Sequence, residues 1–218
     1  MQFTSRMAAL LGRMRRERNG VVADTMYCYG HPCGLNYGVS LPTVRQIAKE
    51  EGTDYCYARY LWQQDVRELR LAALHIADPE QLVREELAFW AAGIINEELA
   101  EEAAFALLRR LSFFAELFES WIVAPQPLLR YAVLMAAARN SRLSAAWIVP
   151  ALGVLSMEGC EDKAVLRMMT RGVVAVLVAI GDQNEENREA VRCAVGSLGS
   201  FPAAESIHEE LAWRLDLS

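Results

Sequence analysis

Three kinds of reactive or charged side chain recur in this sequence: a Cys–His–Cys cluster, a run of glutamates and a series of paired arginines. In CYGHPC, Cys28, His31 and Cys33 lie close together. Thiolate and imidazole ligate zinc, and one turn brings three such ligands together. A structural site takes four, the C-x2-C knuckle is missing, and neither His75 nor His208 has an obvious route to the cluster, so no metal is expected. The alternative packs Cys28 against the end of a helical stack, with His31-Pro32 as a turn. A Cys–His nucleophile pair has no identifiable third group to orient its base. Glu97, Glu98, Glu101 and Glu102 have the i, i+4 spacing of a carboxylate metal site, but no Glu-x-x-His faces them. A solvated helix face, favourable near a helix start, explains them. Gly196-Ser-Leu-Gly199 lacks the lysine and the preceding strand of a phosphate loop. No cofactor is expected.

The basic residues number 22, and only Lys49 and Lys163 are lysines. Guanidinium groups suit bidentate contacts to carboxylate or phosphate. Pairs recur in successive segments: Arg67 and Arg70, Arg109 and Arg110, Arg139 and Arg142, Arg167 and Arg171, Arg188 and Arg192. Residues three or four apart share a helix face. On equivalent helices of stacked repeats they would line one concave side. Such a row follows a duplex backbone, gains affinity by counterion release, and positions DNA without reading its sequence. Glutamates oppose this: Glu185, Glu186 and Glu189 sit beside Arg188 and Arg192 and would pair with them. A protein-interaction scaffold is the reading that follows if such pairs neutralise the row.

Composition narrows the classes further. Of 218 residues 53% are hydrophobic, with five Trp, seven Tyr and seven Phe. That supplies a core and excludes wholesale disorder, collagen and a short disulfide scaffold. A net charge of -6 excludes a histone-like polyanion binder and leaves room for a local basic face. Cys56, Cys160 and Cys193 lie in apolar helical patterns and read as small core residues of a reducing, cytoplasmic setting. Residues 1–18 carry five arginines and no apolar run of a signal peptide. The uncharged runs 143–157 and 172–181 fall short of the roughly 20 residues of a membrane span, so a soluble protein with no membrane partner is expected.

The elements that must position these groups are helices. Apolar spacing predicts helices over 4–18, 22–27 and, capped by Ser40 with Pro42 in the first turn, to about Glu51. Thr53 is the expected cap of the next, about 54–63, followed by 65–77. Asp78-Pro79 marks a boundary before 79–92. Helices over 96–110, 112–122, 127–139, 144–157, 161–180, 184–198 and 202–215 complete the chain. The β-branched run Val173 to Val178 continues a helical pattern and reads as a buried helix. Trp62 and Trp90 sit in apolar stripes as core anchors, while Tyr27, Tyr29 and Tyr37 are candidates for exposure. Eleven or twelve helices with short turns suit stacked helical hairpins of the HEAT type, with a compact non-repeat helical domain as the alternative.

The stretch YGVSLPTVRQIAKEEGTDYCYARYLWQQDVRELRLAAL, Tyr37 to Leu74, adds a resemblance. Tyr37, Gly38, Val39, Pro42, Arg45, Leu61, Trp62, Glu68 and Arg70 match in order and spacing the N-terminal signature of the DNA alkylation repair family of HEAT-like repeat proteins. The resemblance implies an all-α fold, HEAT-like paired-helix repeats forming a curved solenoid, as one domain over 1–218. It further implies duplex DNA, damaged or branched, held on a concave basic face, here by Arg109, Arg139, Arg142, Arg167, Arg171 and Arg188. Active members resemble glycosylases that release N3- or N7-alkylated purines without flipping the base, using aromatic side chains, an Asp and an Arg. The family's catalytic Trp-x-x-x-Asp corresponds to SFFAELFESWI, which has Phe113 and Phe114 and no Asp. If a glycosidic bond is cut, Glu116 or Glu119 must supply the carboxylate and Phe114 or Trp147 the aromatic surface. Arg142, ahead of Trp147-Ile148-Val149-Pro150, lies near the place of the family's Arg. The altered helix leads to an expectation of weak or absent excision by the family's mechanism.

Overall fold

The computed structural model of the chain describes residues 2–28, 34–199 and 202–215, and these form two compact units, Met1–Ser112 and Phe113–Ser218. The first holds α1 (Gln2–Arg16), α2 (Gly20–Cys28), α3 (Leu41–Glu51), α4 (Tyr55–Trp62), α5 (Arg67–Ile76), α6 (Leu87–Ala92) and α7 (Glu97–Ala106). The second holds α8 (Phe114–Trp121), α9 (Pro127–Ala137), α10 (Ile148–Gly153), α11 (Lys163–Gly181), α12 (Glu185–Gly196) and α13 (Pro202–Leu215). One parallel bridge, Leu35 to Val66, is the sole β pairing among the described residues.

Local chemistry explains most helix starts. Ser40 accepts from Thr43 N–H at 3.3 Å, Asn96 from Leu99 at 2.9 Å and Asn184 from Asn187 at 2.8 Å. Asp162 accepts from Ala164 and Val165 at 2.7 and 3.1 Å. Each satisfies an amide that the first turn leaves unpaired. Pro42 and Pro127 stand in first turns, where no amide is needed.

Several details differ from the sequence expectations. Asp54, not Thr53, caps α4, accepting from Tyr57 N–H at 2.9 Å. No helix starts at Pro79. Asp78 accepts from the Glu80 amide at 3.0 Å and from Gln81 Nε2 at 2.9 Å, closing a turn that competes with helix. Val83 is then extended, and helical backbone resumes only at Arg84. The stretch 144–157 is a short 3-10 turn, α10 and a second 3-10 turn rather than one α-helix. Cys160 is buried as expected, but Cys56 and Cys193 are exposed on the outward faces of α4 and α12.

Packing is pairwise and serial within each unit. In the first, α4 pairs with α5, and α3, α5 and α7 lie one upon the next. In the second, α8 pairs with α9, α10 and α12 pack on α11, and α9, α11 and α13 form the series. Hairpins whose second helices stack are the HEAT-like arrangement, in which each pair covers the apolar face of its neighbour. The core contains Trp62 and Trp90, with centroids 5.3 Å apart, as the stripes predict. Trp62 also donates to the Phe89 carbonyl at 3.3 Å.

The longest helix corrects the expectation that no segment reaches membrane length. α11 has 19 residues with a mean hydropathy of 1.8, long and apolar enough by length and composition to cross a bilayer. Its apolar character is used inside the unit: Met168, Met169, Val173, Val176, Leu177 and Ile180 are buried. Gly172 lies where a Cβ would come within 3.0 Å of Leu134 on α9, so a glycine sets that close approach.

Candidate nucleic-acid interface

The residues of the Tyr37–Leu74 signature form a buried ionic anchor. Glu68, 0% exposed, accepts from the Tyr37 and Val39 amides, each at 3.2 Å, and from Arg67 Nη1 at 3.0 Å. Arg67, 2% exposed, donates Nη1 to the Val39 carbonyl at 2.9 Å and Nε to Glu98 at 2.7 Å. The turn 37–39 is thus bound to α5 and α7 through fully partnered charges, the condition under which buried ions are tolerated. Gly38 has φ +68, and a Cβ there would fall 2.0 Å from the Asn19 carbonyl oxygen, so only glycine fits. Tyr37 is half-buried, its hydroxyl accepting from Arg15 Nε and Nη2 at 3.0 and 2.7 Å. Arg70 donates to the Gln64 carbonyl at 2.9 Å.

Arg67 is therefore not part of a solvent-facing basic row, and the glutamates of α7 are not simply a solvated face. Glu98 serves Arg67. Glu102, 2% exposed, receives Arg45 Nε and Nη2 at 2.8 and 2.6 Å and also bonds His75 Nε2. The reason lies in the stacking order: α3, α5 and α7 bring these residues together from far apart in sequence. Arg45 also lies over the Phe105 ring, 4.6 Å from its centroid. Arg109, half-buried, lies 5.5 Å from the same centroid, with Nε donating to the Phe105 carbonyl at 2.7 Å.

In the second unit, α8 is amphipathic, and its two faces separate the candidate catalytic residues. Phe114, Leu117, Phe118 and Trp121 are buried. Phe114 meets Trp147 edge-on at 5.5 Å, and Phe118 stacks on Trp147 at 4.8 Å. Phe114 and Trp147, the two candidate aromatic surfaces, come together in the core. Four residues after Phe114, where the family pattern asks for a carboxylate, stands the buried Phe118. Glu116 and Glu119 lie on the exposed face of α8, away from the rings.

The expected DNA-contacting arginines divide by their partners. Arg188 pairs with Glu185 at 3.1 Å and Arg192 with Glu189 at 2.5 Å, as the neighbouring glutamates suggest. Arg171, exposed on α11, lies 5.5 Å from the Tyr131 ring of α9. Arg139, exposed after the end of α9, donates to the Met135 carbonyl at 3.0 Å and has no carboxylate partner among the described residues. Arg167, one turn before Arg171, is exposed and likewise without a carboxylate among them. Arg142 is exposed, its amide bonded to Asn140.

A further arginine escaped the sequence reading. Arg130, 1% exposed within α9, donates Nη2 to the Glu158 carbonyl at 2.8 Å, and its Nε is buried without a partner. No carboxylate pairs with it among the described residues. A buried guanidinium without a counter-ion is costly. The signal was present, since Arg130 interrupts the apolar run PLLRYAVLMAA, but an exposed arginine on the back of the helix gives the same pattern. Nearby, burial pushes the Cys160 thiol above its ordinary range, which keeps it protonated. The stretch holding His31 and Cys33, with Tyr29, lies outside the described residues, as do the side chains of Tyr27 and Cys28. Among the described residues no three metal-ligating side chains cluster.

Stacked helical hairpins with this signature define the HEAT-like repeat class. Residues 11–144, more than half of the chain, match the model of the family described as DNA alkylation repair enzyme, and the chain belongs to that family. No curated protein matches. A solved structure from a new family of proteins related to the HEAT-like repeat DNA glycosylases, with affinity for branched DNA structures, matches with a TM-score of 0.75. That match covers 95% of each chain at 17% identity, and it shares the fold.

Proposed function

We propose that this protein binds duplex DNA, with a preference for branched structures, and does not excise alkylated bases. The observation that carries the reading is the α8 core: Phe114, Phe118 and Trp147 pack on one another where a glycosylase of this family places an aromatic and an aspartate. A developing oxocarbenium charge needs a carboxylate held beside it, and Glu116 and Glu119 face away from these rings. Family membership supports DNA as the partner, and the affinity of the structurally similar protein for branched DNA supports the preference. The reading takes residues 1–218 as one repeat domain of a cytoplasmic protein. Its phosphate contacts come from Arg139, Arg142, Arg167 and Arg171, with Arg109 and Arg188 contributing.

The test is electrophoretic retardation of continuous and branched duplex across a salt series, with release of 7-methylguanine measured in parallel. Binding falls steeply as salt rises. Alanine at Arg139, Arg167 and Arg171 makes the log–log slope shallower by about 0.9 for each phosphate that is no longer neutralised. Release of 7-methylguanine by the wild type, abolished in Glu116→Gln or Glu119→Gln, would restore the enzymatic reading. A protein-interaction scaffold is the second reading. It is favoured by Trp213, 80% exposed on α13, and it predicts no retardation at any salt concentration.

A further inference from the structure

Among the described aromatic side chains of the first unit the others are buried or half-buried, but Phe105, at the end of α7, is 38% exposed. Its surroundings are polar. The Arg45 guanidinium from α3 lies 4.6 Å from the ring centroid, that of Arg109 lies at 5.5 Å, and the His75 ring from α5 at 6.4 Å. Both arginines are held in place. Two nitrogens of Arg45 clasp the buried Glu102 carboxylate, which His75 also binds, and Arg109 is tied to the Phe105 carbonyl. Arg45 Nη1 makes no hydrogen bond among the described residues. A group already fixed in this way gives up little freedom when it binds.

We propose that Arg45, Phe105 and Arg109 form a stacking platform for an unpaired nucleobase of DNA. The proposal rests on the DNA-binding reading and deepens it by naming what distinguishes a branch from a continuous duplex. Nucleobases stack on aromatic rings and on guanidinium planes alike. In a continuous duplex both faces of each base are covered by its neighbours. At a branch or bulge a face is open, and a guanidinium beside the ring can also meet an adjoining phosphate. The platform thus selects structure without reading base edges, which suits a protein that positions itself through backbone contacts.

The experiment measures equilibrium binding of wild type, Phe105→Leu and Phe105→Trp to three labelled DNAs. These are a continuous duplex, the same duplex with one unpaired nucleotide, and that bulge with its base removed. The wild type loses at least about fivefold in affinity when the base is removed. Phe105→Trp keeps this dependence, Phe105→Leu abolishes it, and all three proteins bind the continuous duplex alike. A wild type indifferent to removal of the base, or an undiminished dependence in Phe105→Leu, overturns the platform while duplex binding stands. Failure of the wild type to retain any of the three DNAs overturns the DNA-binding reading and the platform with it.

Discussion

At the scale of single residues, the chain spends its charges mostly on itself. Glu102 shows how. Burial works against its ionised form, but donors from His75 and Arg45 outweigh it and hold the carboxyl below its ordinary range. A carboxylate depressed on folding adds stability above its unfolded value and loses it as pH falls through the folded one. The urea midpoint of the wild type therefore drops on acidification through and below the ordinary carboxylate range, and Glu102→Gln flattens that part of the profile. The alkaline side has the opposite sign. Tyr55 is pushed up to about 12 by burial and by its hydrogen bond to Glu86, and Tyr57 to about 12 by burial and the nearby Glu51. For groups raised on folding, stability is complete below the unfolded value near 10 and is lost as pH climbs toward 12. Phenolate absorbance will show these two tyrosines ionising near pH 12 in the folded chain and about two pH units earlier once it is unfolded. None of this was legible in sequence. Arg67 and Arg130 look like any surface arginine on a helix, and what buries Arg67 is a partner on α7, 31 residues away at Glu98.

At the scale of elements, far more could be read in advance. Apolar periodicity placed α13 at its observed bounds and α3, α9, α11 and α12 within a few residues, because burial on one helix face is written locally. Where it failed, a local hydrogen bond had won: Asp78 closes a turn instead of opening a helix. The signature motif was legible as a pattern but not as a device. Its work is to fasten the turn 37–39 to α5, and Gly38 carries the geometry. Gly38→Ala would strain a positive φ and drive a methyl into the Asn19 carbonyl, a backbone atom that cannot rotate away. The expected loss is about 2 kcal/mol or more, measured by urea denaturation. The α8 helix shows the limit of motif transfer. Its sequence announced aromatic rings, but only the structure reveals that they face inward while Glu116 and Glu119 face solvent.

At the scale of the whole molecule, a net charge of -6 and a family of DNA-associated proteins are compatible because the acidic groups are concentrated on particular arginines. Arg6, Arg13, Arg45, Arg59 and Arg67 each hold a glutamate, while Arg139 and Arg167 hold none among the described residues. The apolar α11 carries a different consequence, one of timing. Its stripe is covered partly by α13, where Leu215 closes to within 2.7 Å of a Cβ placed on Gly181. α13 follows α11 in the chain, so until it has been synthesised a greasy 19-residue rod waits for its cover. A chain truncated before Pro202 should therefore be captured by chaperones and bind hydrophobic dyes, whereas a chain that retains α13 does neither.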